Sequence, residues 1–180
     1  MQKNIFQQPK IHLKKPLCIG IGGISRSGKT FLADILGNSI AHSMVIHQDK
    51  IIPEEVNIPK INHHTDWERP EAIDWAKLQQ LMETGINSGK TLIMEGLMAF
   101  SNPGINQLFS KTIFITLGKQ EFVHRKKRDF RWGAEPDWYI EHIWNSYLKY
   151  GQLPPEFSET LILNGEADFN LEHIFNFLTE

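Results

Sequence analysis

A three-layer α/β/α sandwich on a parallel sheet is the fold class the sequence predicts, and three observations carry it. Apolar runs suited to buried strands alternate with amphipathic helical stretches along the chain. The segment Gly23-Ile24-Ser25-Arg26-Ser27-Gly28-Lys29-Thr30 matches G-x-x-x-x-G-K-[ST] in full, and it falls between a strand pattern and a helix pattern. A chain of 180 residues makes one domain with enough interior to cover a central sheet on both faces, and no internal repeat, heptad or low-complexity segment points elsewhere.

Composition narrows the function classes. A net charge of -2 leaves no basic excess to neutralise many phosphates, which argues against a protein that coats nucleic acid but leaves small anionic ligands open. Cys18 stands alone, so it makes no intramolecular disulfide; as a small buried residue of the first strand it suits a reducing, cytoplasmic compartment. No apolar run approaches the ~18 residues of a membrane helix. Residues 1–16 carry scattered charges, two prolines and no apolar core, and read as an edge segment or loose tail rather than a signal peptide. The domain is expected over residues 17–180.

Leu17, Cys18, Ile19 and Ile21 form the first strand, and Phe31 to Leu36 opens a helix with Leu32, Ile35 and Leu36 on one face, fading near His42. Between them the glycines let the backbone turn tightly and aim its N–H groups inward at the positive end of that helix. Gly23, Ser25, Ser27, Gly28, Lys29, Thr30 and Phe31 then form the cradle for a polyphosphate. In such a loop Lys29 reaches the outer phosphates and Thr30 holds Mg²⁺ through its hydroxyl. The competing reading is a chance match in a glycine-rich loop.

Met44-Val45-Ile46 makes a second strand that ends at His47-Gln48-Asp49. Ligands of open α/β sheets bind beyond the carboxyl ends of the strands, so Asp49 is a candidate base; a turn or cap role suits it equally. From Ile51 to Arg69 the periodicity breaks up around Pro53 and Pro59, as in a long loop that covers or builds a site. His63 and His64 are adjacent and lack partners at metal-ligand spacing, so they read as solvated. Asp66, Trp67, Glu68 and Arg69 can stack on a base and hydrogen-bond a sugar, or can enter a helix with Trp67 tucked under the loop. That helix is expected from Pro70 or Glu71 to about Ile86, burying Trp75, Leu78, Leu81 and Met82. After the turn Asn87-Ser88-Gly89, Thr91 to Met94 makes the third strand, and Glu95 at its end suits a Mg²⁺ role or is a partly exposed strand-end acid.

Ser101 to Phe109 reads as loop and short helix, and Thr112 to Leu117 as the fourth strand. Phe122 and Val123 begin a helix into the basic run Arg125-Lys126-Lys127-Arg128. Arg125 and Arg128, three residues apart, would share one face and could clamp a transferring phosphate, though charge runs are also solvated faces. With Trp132-Gly133-Ala134-Glu135-Pro136 as a hinge, residues 125–136 have the profile of a lid that excludes water. Tyr139 to Tyr150 resumes a helical period through Ile140, Ile143, Trp144, Tyr147 and Leu148. Thr160 to Leu163 makes the fifth strand, Asn164-Gly165 turns it, and Leu171, Ile174, Phe175 and Leu178 mark a last helix.

Taken in order, GIGGISRSGKT, HQDK, DWERPEAID, LIMEGLMAF, HRKKRD and IWNSYLKY resemble the nicotinamide riboside kinases, within the uridine kinase-like P-loop kinases, from about Leu17 to Leu178. Many NTPases share the phosphate loop; the Gln-Asp, the Glu-Gly and the Tyr-Leu-Lys-Tyr helix narrow the resemblance. It implies a five-stranded parallel sheet in the order 2-3-1-4-5 and ATP- and Mg²⁺-dependent phosphorylation of a ribonucleoside 5′-hydroxyl, with nicotinamide riboside favoured. Uridine, cytidine or another small alcohol is the alternative acceptor, and a non-catalytic nucleotide-binding module a third reading. By the same resemblance Asp49 takes the hydroxyl proton, Glu95 serves Mg²⁺, and Arg125 and Arg128 bind phosphates. Leu163 to Gly165 lies near the adenine, and Trp67, Glu68 and Arg131 belong with the acceptor. The chain departs from the pattern in having Lys50, Ile51 and Ile52 after the base, and Trp67-Glu68 where an aromatic and an aspartate are usual. The second stacking aromatic falls among Phe130, Trp132 and Trp138.

Overall fold

The apolar runs and amphipathic stretches become alternating strands and helices in the computed structural model, which describes residues 10–131 and 133–180. Trp132 of the expected hinge and residues 1–9 of the expected extension lie outside the described residues. The first half holds β1 (Cys18–Gly23), α1 (Lys29–Ser39), β2 (Ser43–His47), β3 (Lys60–Ile61), β4 (His64–Thr65) and α2 (Trp75–Asn87). There follow β5 (Thr91–Glu95), α3 (Pro103–Asn106), β6 (Lys111–Thr116), α4 (Lys119–Lys126), α5 (Asp137–Tyr150), β7 (Thr160–Asn164) and α6 (Leu171–Thr179).

The main sheet runs β2-β5-β1-β6-β7 with every pair parallel. Its strands, numbered among themselves along the chain, stand in the order 2-3-1-4-5. β1 and β5 are buried along their whole length, as strands covered on both faces must be. One apolar layer joins the sheet to Leu78 and Met82 of α2, Phe122 of α4 and Ile143 of α5. The other joins it to Leu32 and Leu36 of α1 and to Ile174 and Leu178 of α6. The three layers place all five strand ends, and the loops that follow them, on one edge. Gly22 has a packing role in β1, since a Cβ there would come within 2.5 Å of the buried Phe100 ring.

Three elements differ from expectation. The stretch after β2 holds the short antiparallel β3–β4 hairpin, turned by Asn62 and His63 with φ of 47° and 65°. The second helix starts at Trp75 rather than at Pro70, because Pro70–Ala72 forms a separate 3₁₀ turn and the Asp74 side chain caps α2 by accepting from the Lys77 N–H at 3.0 Å. α1 stops at Ser39, where Ile40 turns away to form a parallel bridge with Ile11. No helix among the described residues is long and apolar enough to cross a membrane.

Candidate active site

The phosphate loop sits at the edge where β1 gives way to α1. Gly28 precedes the helix with φ of 104°, and no side chain caps α1, which leaves its first N–H groups for another acceptor. The Ser27 hydroxyl is buried without a hydrogen-bond partner among the described residues. Lys29 is buried and folds back over its own loop, donating from Nζ to the Ile24 carbonyl at 2.8 Å. Burial lowers its pKa, and the charges of Glu95, Asp49 and Glu68 partly offset that. An orphaned hydroxyl, uncapped helix amides and a buried ammonium form a donor set suited to a polyphosphate. Phe31 is exposed on α1, its ring 6.5 Å from that of Phe169. Ser25 is half-buried in the loop.

Two carboxylates stand on the same edge. Asp49 is exposed in the 3₁₀ turn Gln48–Lys50 that ends β2, a turn held by buried Gln48, whose Oε1 accepts from the Met98 N–H at 3.0 Å. Glu95, at the end of β5, is buried; its Oε1 accepts from the Thr30 hydroxyl at 3.2 Å and lies 2.9 Å from His47 Nδ1. Thr30 and Glu95, both expected at Mg²⁺, are therefore in contact and offer oxygen to a hard cation. Among the described residues no three His, Cys, Asp or Glu side chains form a metal cage. His47 had no assigned role from the sequence; it meets Glu95 because β2 and β5 pair these two residues in register.

The basic segment is arranged differently from the expected clamp. α4 ends at Lys126, so Arg128 lies past the helix, exposed, and does not share a helical face with Arg125. The chain turns there because Lys126 and Asp129 point inward: Lys126 Nζ bonds Glu135 at 2.9 Å, and both Lys126 and Asp129 are buried. Arg125 donates from Nε to Glu121 at 2.6 Å and from Nη1 to the Arg26 carbonyl at 3.2 Å, which sets it against the phosphate loop. Arg131 grips Asp129 with Nε and Nη2 at 2.8 and 2.7 Å, and Arg26 approaches the same carboxylate at 3.6 Å. The Arg131 hydrogen bonds hold the Asp129 carboxyl well below the usual carboxylate range. Asp129, which in the sequence is only part of a charged run, thus ties Arg131 to Arg26 of the phosphate loop.

Beside the lid lie the expected acceptor residues. Trp67 is 40% exposed, and Glu68 is half-buried with its carboxyl pushed up to about 7, by burial first, while Lys126 works against the shift. Asp66 is buried, and its Oδ1 accepts from the Glu68 N–H at 3.2 Å and lies 2.7 Å from His142 Nε2. Arg69 pairs with Glu71 at the surface, and the His64 ring lies 5.5 Å from that of Trp138. Leu163 packs in the apolar layer with α1 and α6. Gly165 abuts the phosphate loop: its N–H donates to the Thr116 carbonyl at 2.8 Å, and a Cβ there would lie 2.8 Å from the Ser27 carbonyl.

No family model matches the chain. It is 26% identical over 155 residues to nicotinamide riboside kinase 1 of Homo sapiens, covering 77% of this chain and 78% of the human one. It is 25% identical to a uridine kinase of Lactobacillus helveticus, covering 82% and 81% of the two chains. Among solved structures it superposes on a possible uridine kinase from Bacillus stearothermophilus with a TM-score of 0.54 at 18% identity, over 85% of this chain and 91% of the other. A sugar kinase from Janibacter sp. gives a TM-score of 0.56 at 18% identity, over 94% and 95%. The fold is that of the P-loop kinases, and over about three quarters of its length the chain is similar to nicotinamide riboside kinases, with uridine kinases among its further relatives.

Proposed function

We propose that the protein is an ATP-dependent kinase of the ribonucleoside 5′-hydroxyl, with nicotinamide riboside as its acceptor. The observation that carries this reading is the convergence on one sheet edge of the buried Lys29 ammonium with Asp49, Glu68 and Glu95, whose charges all bear on it. When bound, Mg-ATP supplies the transferable phosphoryl group and a neutralising cation. Thr30 and Glu95 would hold the metal, and the loop amides with Ser27 and Lys29 would hold the phosphates. Asp49 takes the proton of the attacking hydroxyl as the new O–P bond forms and the bond to the leaving diphosphate breaks. Arg125, and the Arg131 guanidinium anchored by Asp129, place positive charge beside the transferring group.

Trp67 and Glu68 favour nicotinamide riboside over uridine as the acceptor. An exposed indole face followed in sequence by the Glu68 carboxyl favours a pyridinium cation, whereas a neutral uracil gains stacking alone. Coupled ADP release, measured with nicotinamide riboside, uridine, cytidine and a panel of sugars and vitamins, tests the assignment. Highest kcat/KM on nicotinamide riboside is expected. Preference for uridine would leave a nucleoside kinase of different specificity, and turnover with no nucleoside would overturn the function.

A further inference from the structure

We infer that Asp66 and His142 are positioning residues that fix the acceptor-binding residues Trp67 and Glu68 to the rigid helix α5. The inference rests on the reading of Trp67 and Glu68 as acceptor residues. Asp66 closes the β3–β4 hairpin, its N–H donating to the Pro59 carbonyl at 2.8 Å. Its side chain is buried, yet it does not end in a surface ion pair. Oδ1 lies 2.7 Å from His142 Nε2, and the same oxygen takes the Glu68 N–H at 3.2 Å.

Asp66 and His142 stand 76 positions apart, and this contact spans the chain between the loop and α5. On the helix side the support is firm, because α5 buries Ile140, Ile143 and Tyr147 against the core layer under the sheet. The Tyr139 ring flanks His142 at 5.8 Å, and Trp138 meets the hairpin residue His64 one turn earlier. The loop side has little support of its own. Its strands are two residues long, and Asp66 alone separates them from Trp67 and Glu68.

A hairpin of that size is marginal alone. The direction in which Trp67 and Glu68 present themselves therefore depends on the buried Asp66 carboxylate beside them. Losing the His142 donor leaves that carboxylate under-satisfied and lets the loop shift. Such a shift weakens nucleoside binding and leaves the backbone of the phosphate loop, on a different element, in place.

The test is steady-state kinetics of full-length His142→Leu, His142→Asn and His142→Gln with nicotinamide riboside and ATP varied separately. Leucine removes the donor, asparagine keeps polarity but is too short to place its amide at the Nε2 position, and glutamine restores a donor there. The first two should raise the nucleoside KM about tenfold, with KM for ATP and kcat at saturating nucleoside within about threefold of wild type; glutamine should recover most of the loss. An unchanged nucleoside KM in the leucine and asparagine variants overturns the positioning role. So does a fall in kcat with both KM values and no recovery by glutamine, which a general structural role would give. If leucine does not fold, the asparagine and glutamine pair decides the matter alone. Wild-type protein that turns over no nucleoside would instead overturn the function on which the inference rests.

Discussion

The Lys29 ammonium donates to the carbonyl of Ile24, within its own phosphate loop, at 2.8 Å. The charge proposed to meet the outer phosphates is thus a buried one, hydrogen-bonded to its own loop. Burial disfavours it, as the direction of its pKa shift records, and Glu95, Asp49 and Glu68 keep it tolerable. A site that stores an ammonium at a cost has a use for it elsewhere than in the fold.

Lys29→Ala should therefore abolish phosphoryl transfer while leaving the domain folded. The substitution removes positive charge where the transition state spreads negative charge, and it relieves a desolvated group. Circular dichroism and a thermal midpoint near wild type, beside a loss of turnover of at least about 10³-fold, are the expected results. Near-normal turnover would show that this loop does not hold the transferring phosphate.

Asp49→Asn should cut kcat by at least about 10²-fold and leave Mg-ATP affinity nearly intact. The amide keeps the shape of an exposed turn residue and loses its basicity. Titration of the variant with a fluorescent ATP analogue separates the roles. Loss of nucleotide binding along with turnover would make Asp49 a metal ligand instead.

Asp129→Asn tests the contact of the Asp129–Arg131 pair with Arg26 of the phosphate loop. The native carboxylate titrates well below its ordinary value because Arg131, and more weakly Arg26, favour its charged form. Its contribution to stability is therefore present above the unfolded value of about 3.9 and is lost as pH falls through the lower, folded value. The variant should melt below wild type at pH 7, and the two midpoints should draw together as the pH drops from about 4 towards 2. A constant gap across that range would mean that the charge of Asp129 is not what holds the arginines.

Glu68 has the opposite sign. Its folded pKa of about 7 lies above the ordinary carboxylate value, so the protonated form is favoured in the native state, and stability falls as pH rises between the two values. Glu68→Gln should raise the thermal midpoint at pH 8 by several degrees, the scale of about 1–2 kcal/mol in a domain of this size once solvent at the half-buried group is allowed for. At pH 4 the two proteins should melt together. A destabilised variant at pH 8 would show that the carboxylate is paired rather than merely buried.

Most of the sheet was legible because each strand is an apolar run closed by turn residues, and the phosphate loop marks which helix follows which strand. What escaped depends on contacts between distant positions. The β3–β4 hairpin has two rungs, Lys60 with Thr65 and Ile61 with His64, too few for any period to show in the sequence. Pro70 imitates a helix start in the sequence and masks the Asp74 cap. The basic run Arg125 to Arg128 has good helix propensity throughout, and α4 ends inside it only because Lys126 finds Glu135 and Asp129 finds Arg131. In the site, Lys29, Thr30, Asp49 and Glu95 each carry a local signal, a motif or a strand end. His47, Asp129 and His142 carry none; each gains a role from a partner on a different element.

Substrate choice follows from the proposed acceptor role of Trp67 and Glu68, which should treat a cation and a neutral ring differently. A pyridinium over the partly exposed indole gains a cation–π contact as well as stacking, and Trp67→Ala should cost about 1–2 kcal/mol in kcat/KM for nicotinamide riboside with ATP affinity little changed. Glu68 adds a pH signature. Its carboxyl ionises near pH 7, so between pH 6 and pH 8 the attraction for a cationic ring grows, and the KM for nicotinamide riboside should fall across that interval. Uridine carries no charge there, and its KM should change far less. Measuring both substrates on wild type, Trp67→Ala and Glu68→Gln at the two pH values separates the contributions. Glu68→Gln should flatten the KM profile for nicotinamide riboside, and Trp67→Ala should raise its level but keep its slope. Parallel profiles for the two nucleosides in wild type would mean that the ring is not read by its charge, and the preference for nicotinamide riboside would then have to come from another part of the site.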